Sequence, residues 1–204
     1  MYWLVIALLI ITTGCSSTTA KRIDANTPTD LAGMWNDTDA RLVAEEMIKD
    51  CLAGRWVDDF GKASGRSPVV IVGTIKNKTS EHINPEVFTD SLEKALLNSG
   101  KINFVANKEY RREIREERAD QLTGNTEPST ISEKGHETGA DFMLQGNVNQ
   151  IEEEVESQTL MVGKRKSTNF FQVTLELVDL KTNQKRWIGQ KQIKKSVERS
   201  KVFL

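Results

Sequence analysis

The chain has 204 residues, 28 of them basic and 29 acidic, for a formal charge of −1. That length, less a leader, leaves room for one domain around one core, and a charged fraction of 28% beside an apolar fraction of 38% fits a globular domain with a polar surface. There is no basic excess to neutralise phosphates, which argues against nucleic acid as a partner.

The first predicted element is a leader. Trp3 to Ile11, WLVIALLII, is an apolar run of signal-peptide length and too short to span a bilayer as a helix. Thr12-Thr13-Gly14 then precede Cys15, and small residues before a cysteine at this place resemble the lipobox of bacterial lipoproteins. The resemblance implies removal of residues 1–14 and a diacylglyceryl group on Cys15. Ser16, rather than an aspartate, follows the cysteine, which implies passage to the outer membrane with the domain facing the periplasm. The leader departs from the usual pattern in having no Lys or Arg ahead of its apolar core. With Cys15 lipidated, Cys51 has no disulfide partner. Its place on an apolar helical stripe predicts a small buried hydrophobe rather than a reactive thiol.

Residues 15–36 are Ser/Thr-rich with little apolar periodicity, the composition of a flexible tether. Fully stretched, such a segment reaches at most roughly 70 Å. The domain is expected over 37–204. Its first helix is capped by Asp37 or Thr38, carries Ala40, Val43, Ala44, Met47, Ile48, Cys51 and Leu52 on one face, and ends at Gly54. Trp56 and Phe60 follow as apolar anchors ahead of a Gly-rich loop, GKASGRSP. Trp35 and Trp56 either form an aromatic contact surface or pack the first helix onto the core.

The run Val69-Val70-Ile71-Val72 reads as a strand buried on both faces. A polar loop, Lys76 to Asn84, leads to Pro85 in the first turn of a helix, where its missing N–H has no partner to lose. Phe88, Leu92, Ala95 and Leu96 give that helix its apolar face, and Gly100 supplies a left-handed stop. Ile102, Phe104 and Val105 form a second short strand. Strand, helix and strand in about 35 residues make a βαβ unit with parallel pairing.

Asn107 caps a further helix, Asn107 to Leu122, with a thin stripe of Tyr110, Ile114 and Leu122 among Arg and Glu at helical spacing. This predicts an exposed helix laced with ion pairs. After the loop Thr123–Ser129, a short helix is expected from Ser129 or Thr130 to about Gly139. Three strand-like runs close the chain, about 142–153, 167–179 and 184–195, with a turn at Lys181-Thr182-Asn183. In the middle run Phe171, Val173, Leu175 and Leu177 alternate with polar residues, the period of a half-buried strand. An antiparallel meander is predicted, with Ser157 to Lys166 as a longer, mobile connection. The whole is an α/β (mixed α+β) single domain, a mixed sheet of about five strands with helices packed on it.

Chemistry is sparse. His82 and His136 stand far apart, and no HxxxH or CxxC pairing offers a zinc site. Neither a G-x-S-x-G elbow, a Walker loop nor a G-x-G-x-x-G after Val69 is present. No catalytic residue, metal or cofactor is expected. The segment singled out is the loop leaving the carboxyl end of the first strand, the usual place for binding residues in open α/β sheets. There either Asn77, Thr79, Ser80 and His82 present hydrogen-bonding groups to a partner, or Asn77 and Ser80 simply close turns while Asn84 caps the helix at Pro85.

An ordered set of motifs adds a resemblance. T-D-A-R at Thr38–Arg41, N-K-T-S-E-H-I after the first strand, F-T-D, A-L-L-N-S-G-K-I-N-F-V and G-A-D-F-M-L-Q-G at Gly139–Gly146 together resemble the LpoB-type activator lipoproteins of penicillin-binding proteins. The likeness covers most of the chain after residue 35. It implies a fold similar to the TolB amino-terminal domain and a lipid-anchored regulator, monomeric as a domain, that binds and activates a class A, bifunctional penicillin-binding protein. The tether is shorter than in the best-known members. The alternative is an envelope assembly or secretion-associated scaffold lipoprotein that self-associates.

Overall fold

The computed structural model describes residues 21–24, 27, 33–132, 135–158 and 162–202. The expected leader, Cys15 and most of the tether lie outside them. Helix α1 (Asp37–Ala53) opens the domain and α2 (Trp56–Ser64) follows it. Strand β1 (Val69–Lys78), helix α3 (Pro85–Asn98) and strand β2 (Asn103–Phe104) come next, then α4 (Lys108–Gln121) and a single 3-10 turn, Pro128–Thr130. The long strands β3 (Phe142–Gln158), β4 (Val162–Asp179) and β5 (Lys185–Val202) complete a five-stranded sheet in the order β2-β1-β3-β4-β5.

The predicted βαβ unit is present: β1 pairs parallel with β2 across α3, and also parallel with β3. β3, β4 and β5 form the expected antiparallel meander. The sheet is therefore mixed. Helices α1 and α3 lie against each other, with α1 reaching β5 and α3 reaching β1 and β2. Alternation along the strands decides which side they cover: Val70, Val72 and Ile75, Phe142, Leu144 and Val148, and Phe171, Val173, Leu175 and Leu177 are all buried. Met47, Ile48, Phe88, Leu92 and Leu96 meet them from the helices. Gly146 is needed beneath this layer, because a Cβ there would sit 2.1 Å from the Thr174 carbonyl oxygen.

Several boundaries differ from the sequence reading. The cap of α1 is Asn36, not Asp37 or Thr38: its side chain accepts from the Asp39 N–H while the Asp39 carboxylate accepts from the Asn36 N–H, a reciprocal capping box. Trp56 and Phe60, expected only as apolar anchors ahead of a loop, belong to helix α2, which takes in Gly61 to Ser64 and is closed by Gly65 in the left-handed region at φ 69°. β1 runs through Lys76, Asn77 and Lys78, so the loop begins at Thr79. No helix spans Ser129 to Gly139 among the described residues; a single turn is followed by extended chain.

The expected mobile connection over Ser157–Lys166 is instead largely strand, to Gln158 and again from Val162. Its polar composition hid this, since those strand ends are held by charge. Arg165 is bonded to Glu154 and pairs with Glu156, and Lys164 pairs with Glu198 on β5. Opposite charges across a ladder stabilise it as apolar pairs do. The three long strands thus outrun the helices as a ribbon.

Other expectations hold. Asn84 caps α3 with Pro85 in its first turn, Gly100 is left-handed at φ 65°, and Asn107 caps α4 through the Glu109 and Tyr110 N–H groups. No residue of α4 is buried, and Arg112 pairs with Glu116 one turn on. Trp35 and Trp56 serve separate parts of the core. Trp35 packs edge-on against Phe88 and Phe171, and Trp56 against Phe142. They do not form one aromatic surface. Cys51 is free and buried, and burial pushes its thiol up to about 12, as suits a core residue.

This division of labour is measurable. Leu175→Ala should lower stability in urea denaturation by about 3 kcal/mol, from lost transfer energy plus a cavity. Ile151→Ala and Val155→Ala, on the ribbon and 60% and 65% exposed, should stay within about 0.5 kcal/mol of the parent.

Candidate functional site

Two of the motifs that carry the resemblance are structural clamps. In T-D-A-R, Asp39 is both a member of the capping box and the partner of Lys195 on β5, and both side chains are nearly covered. Lys195 also donates to the Met34 carbonyl at 3.0 Å. In G-A-D-F, Asp141 receives a two-pronged bond from Arg66, 2.7 Å on each oxygen, and accepts from the Val69 N–H at 2.9 Å. Its backbone N–H donates to the Val69 carbonyl and its own carbonyl accepts from Leu180. One residue therefore ties together the start of β1, the start of β3 and the end of β4.

The loop singled out from the sequence is built in the same manner. Asn77, at the end of β1, donates through Nδ2 to the Glu81 carbonyl at 2.9 Å and accepts through Oδ1 from the Thr79 N–H and hydroxyl. The Thr79 hydroxyl in turn accepts from the Glu81 N–H. Asn77 and Thr79 thus close the turn on themselves. Ser80 reaches across to β3, donating its N–H and hydroxyl to Gln150 Oε1 at 3.2 and 3.1 Å. His82 is exposed at the rim. Asn77 at the end of β1 and Thr79, Ser80 and His82 of the loop lie together, yet only Ser80 and His82 face solvent.

Glu81, which the sequence reading passed over, is the hub. One carboxylate oxygen accepts from the Trp35 N–H at 2.9 Å and the other from Gln150 Nε2 at 3.1 Å. Gln150 also donates to Asn169 Oδ1, and Asn169 donates to the Gly33 carbonyl. Residues Gly33 to Asn36 are therefore pinned between the loop and the ribbon. The chain ahead of α1 thus enters at the same end as the loop. Beside them lies a recess of about 400 Å³, whose walls include Ser80, His82, Gln150, Glu154, Arg165 and Arg199. Ser80 and Gln150 lie 70 positions apart, and only strand register brings them together.

Among the described residues no group of three His, Cys, Asp or Glu side chains is placed to hold a metal ion, and no helix is long and apolar enough to cross a membrane. The arrangement offers hydrogen-bonding and charged groups on a fixed surface. It is suited to docking.

A family model described as the peptidoglycan-synthase activator LpoB matches residues 39–193, well over half of the chain, and the chain belongs to that family. It is a periplasmic lipoprotein, anchored by lipid at the outer membrane, that activates a class A penicillin-binding protein in peptidoglycan synthesis; it is a regulator and not an enzyme. No curated protein matches the chain. Among solved structures it is similar to the LpoB C-terminal domain from Escherichia coli, at 16% identity and a TM-score of 0.39, over 76% of this chain and 98% of that one. The LpoB C-terminal domain from Salmonella enterica is 17% identical with a TM-score of 0.34, over 67% and 91%. Lipoprotein GNA1162 from Neisseria meningitidis is 17% identical with a TM-score of 0.36, over 63% and 83%. Membership rests on the sequence match over 39–193.

The Asp141 clamp has a pH signature. The Arg66 guanidinium first, and the Val69 N–H as well, hold the Asp141 carboxyl below its usual range, against a smaller opposing effect of burial. A carboxyl depressed on folding contributes stability that is complete above its ordinary value and fades as pH falls through the lower folded value. Asp141→Asn should accordingly be less stable than the parent near neutrality in urea titrations, with the gap closing as pH falls below the ordinary aspartate range. An equal gap at all pH values would refute that role.

Proposed function

We propose that residues 1–14 are a cleaved leader, that Cys15 carries the lipid, and that the domain, 37–204, docks its synthase through the end bearing the 79–84 loop. The observation that carries this reading is the loop itself. Ser80 and His82 are exposed on a backbone that Asn77, Thr79 and Glu81 hold in one shape, so little conformational entropy is lost when a partner binds. Ser80 and His82 contact the partner. Asn77 and Thr79 act by fixing the loop.

Activation follows from differential affinity. A domain without chemistry of its own raises the synthase's activity by binding its active conformation more tightly than its resting one, and so shifts the population. The anchor confines the search to one membrane. Because Gly33 to Asn36 are spent on contacts with the domain, the tether ahead of them, about 18 residues from Cys15, reaches at most about 60 Å. That favours a synthase whose docking module extends well outward from the inner membrane. The resemblance of the motifs to LpoB-type lipoproteins also supports kinship of the sheet-and-helix architecture with the TolB amino-terminal domain.

The test is recovery of partners from crosslinked envelopes with the full chain, beside Cys15→Ala and a Ser80→Glu/His82→Glu variant. The full chain should recover a class A synthase, Cys15→Ala should lose its membrane fraction, and the loop variant should stay in the membrane and lose the synthase. Recovery only of copies of itself or of secretion components would instead favour the self-associating scaffold.

A further inference from the structure

Among the described residues the outer edge of β1 is unoccupied along most of its length. β2 pairs only with Val69 and Val70, and the Val105 N–H to the Val70 carbonyl is the last backbone bond on that side among the described residues. The register with β3 slips between Val72 and Ile75 and is regular again from Ile75 to Lys78. From this edge a groove of about 730 Å³ runs over the sheet face, lined by β1, β3, Glu176 of β4 and the start of α4. Four cations line it: Lys76, Lys78, Lys108 and Arg111. None of the four takes part in an ion pair among the described residues, whereas Arg66, Arg115, Arg118, Arg165, Arg186 and Lys191 all do. The Arg111 Nε is buried and lacks a hydrogen-bond partner. Glu137 acts on Arg111 through space, but its carboxylate is bonded to Arg115 and Arg118. Of the two acids lining the groove, Glu176 is bonded to Lys185, which leaves Glu109.

We infer that this edge takes an extended acidic segment of a partner protein, which adds a strand beside Ile75–Lys78 and lays its carboxylates over the groove. An unpaired strand edge is a template for any extended chain. Charge selects which one. Lys76 and Lys78 point away from the core, where alternate side chains of an added strand also project. Acids at every second position of the incoming strand would therefore meet them. The same lysines repel a second copy of this edge, which guards against pairing between like chains. A compact anion would not use the open backbone, and the groove's neutral lining of Thr74, Gln145 and Asn147 suits a peptide.

The proposal deepens the activator reading by naming the chemistry of a second contact, on the opposite side of β1 from the covered core. The experiment measures fluorescence anisotropy of a labelled peptide of alternating Glu and Val with the full chain in detergent. A Lys–Val peptide and a backbone N-methylated Glu–Val peptide serve as comparisons. The Glu–Val peptide should bind, and Lys76→Glu/Lys78→Glu should weaken it about tenfold or more. Lys108→Glu should weaken it independently, and Lys62→Glu/Lys94→Glu should leave it unchanged. N-methylation, which removes the strand's N–H donors, should abolish binding. Equal binding of the N-methylated or the Lys–Val peptide, or indifference to the groove variants, would overturn the proposal. Since the readout is peptide capture, the groove can fail while activation stands, and activation can fail while the groove stands.

Discussion

Burial of one sheet face under α1 and α3 is the constraint on which the other features depend. Phe171, Val173, Leu175 and Leu177 at the centre of the sheet, with Leu144 and Val70 beside them, all turn toward those helices. Everything the helices do not reach must be stabilised by other means. On the ribbon that means cross-strand ion pairs, at Gly33 to Trp35 it means hydrogen bonds to Glu81 and from Asn169 and Lys195, and at the start of β1 and β3 it means the Asp141 clamp. The second face is covered at the start of β1, where Val69 and Ile71 are buried as well, and is polar and open along Lys76 and Lys78. A regulator needs such a surface, because its chemistry lies in its partner.

Much of this architecture was legible in the chain. The β-branched run at Val69, the Pro85 start and Gly100 stop of α3, and the alternation from Phe171 to Leu177 each carried a period or a terminus signal with a single physical meaning. What escaped was set by tertiary context. The ribbon strands around Arg165 have no apolar alternation, so only their pairing with Glu154 and Glu198 strands reveals them. Helix α2 as a whole escaped, because it runs into Gly61 and Ser64 in a stretch whose composition argues for a loop. The candidate loop itself was visible as a polar segment after a buried strand. That Ser80 reaches across to Gln150 was not, because the contact depends on strand register 70 residues away.

The motif residues teach a related lesson about resemblance. Asp39, Asn77, Asp141 and Gly146 stand in the segments that mark the family, and each is committed to backbone caps, turns or close packing. Such residues identify a fold more directly than a contact surface. The proposed docking instead uses exposed residues: Ser80 and His82 on the loop, and Lys76 and Lys78 along β1, which enter no ion pair among the described residues. Placing the tether junction beside the loop also fixes how the domain is presented. A chain pinned at Gly33 to Asn36 holds that end toward its anchor, within reach set by the remaining tether.

The most direct measurement is the rate of glycan-strand polymerisation by a purified class A synthase with and without the purified protein, at matched detergent and salt. A saturable rise in rate, lost in the Ser80→Glu/His82→Glu variant while its urea unfolding is unchanged, is the expected result. An unchanged polymerisation rate at concentrations where the two proteins demonstrably bind would contradict activation by this chain.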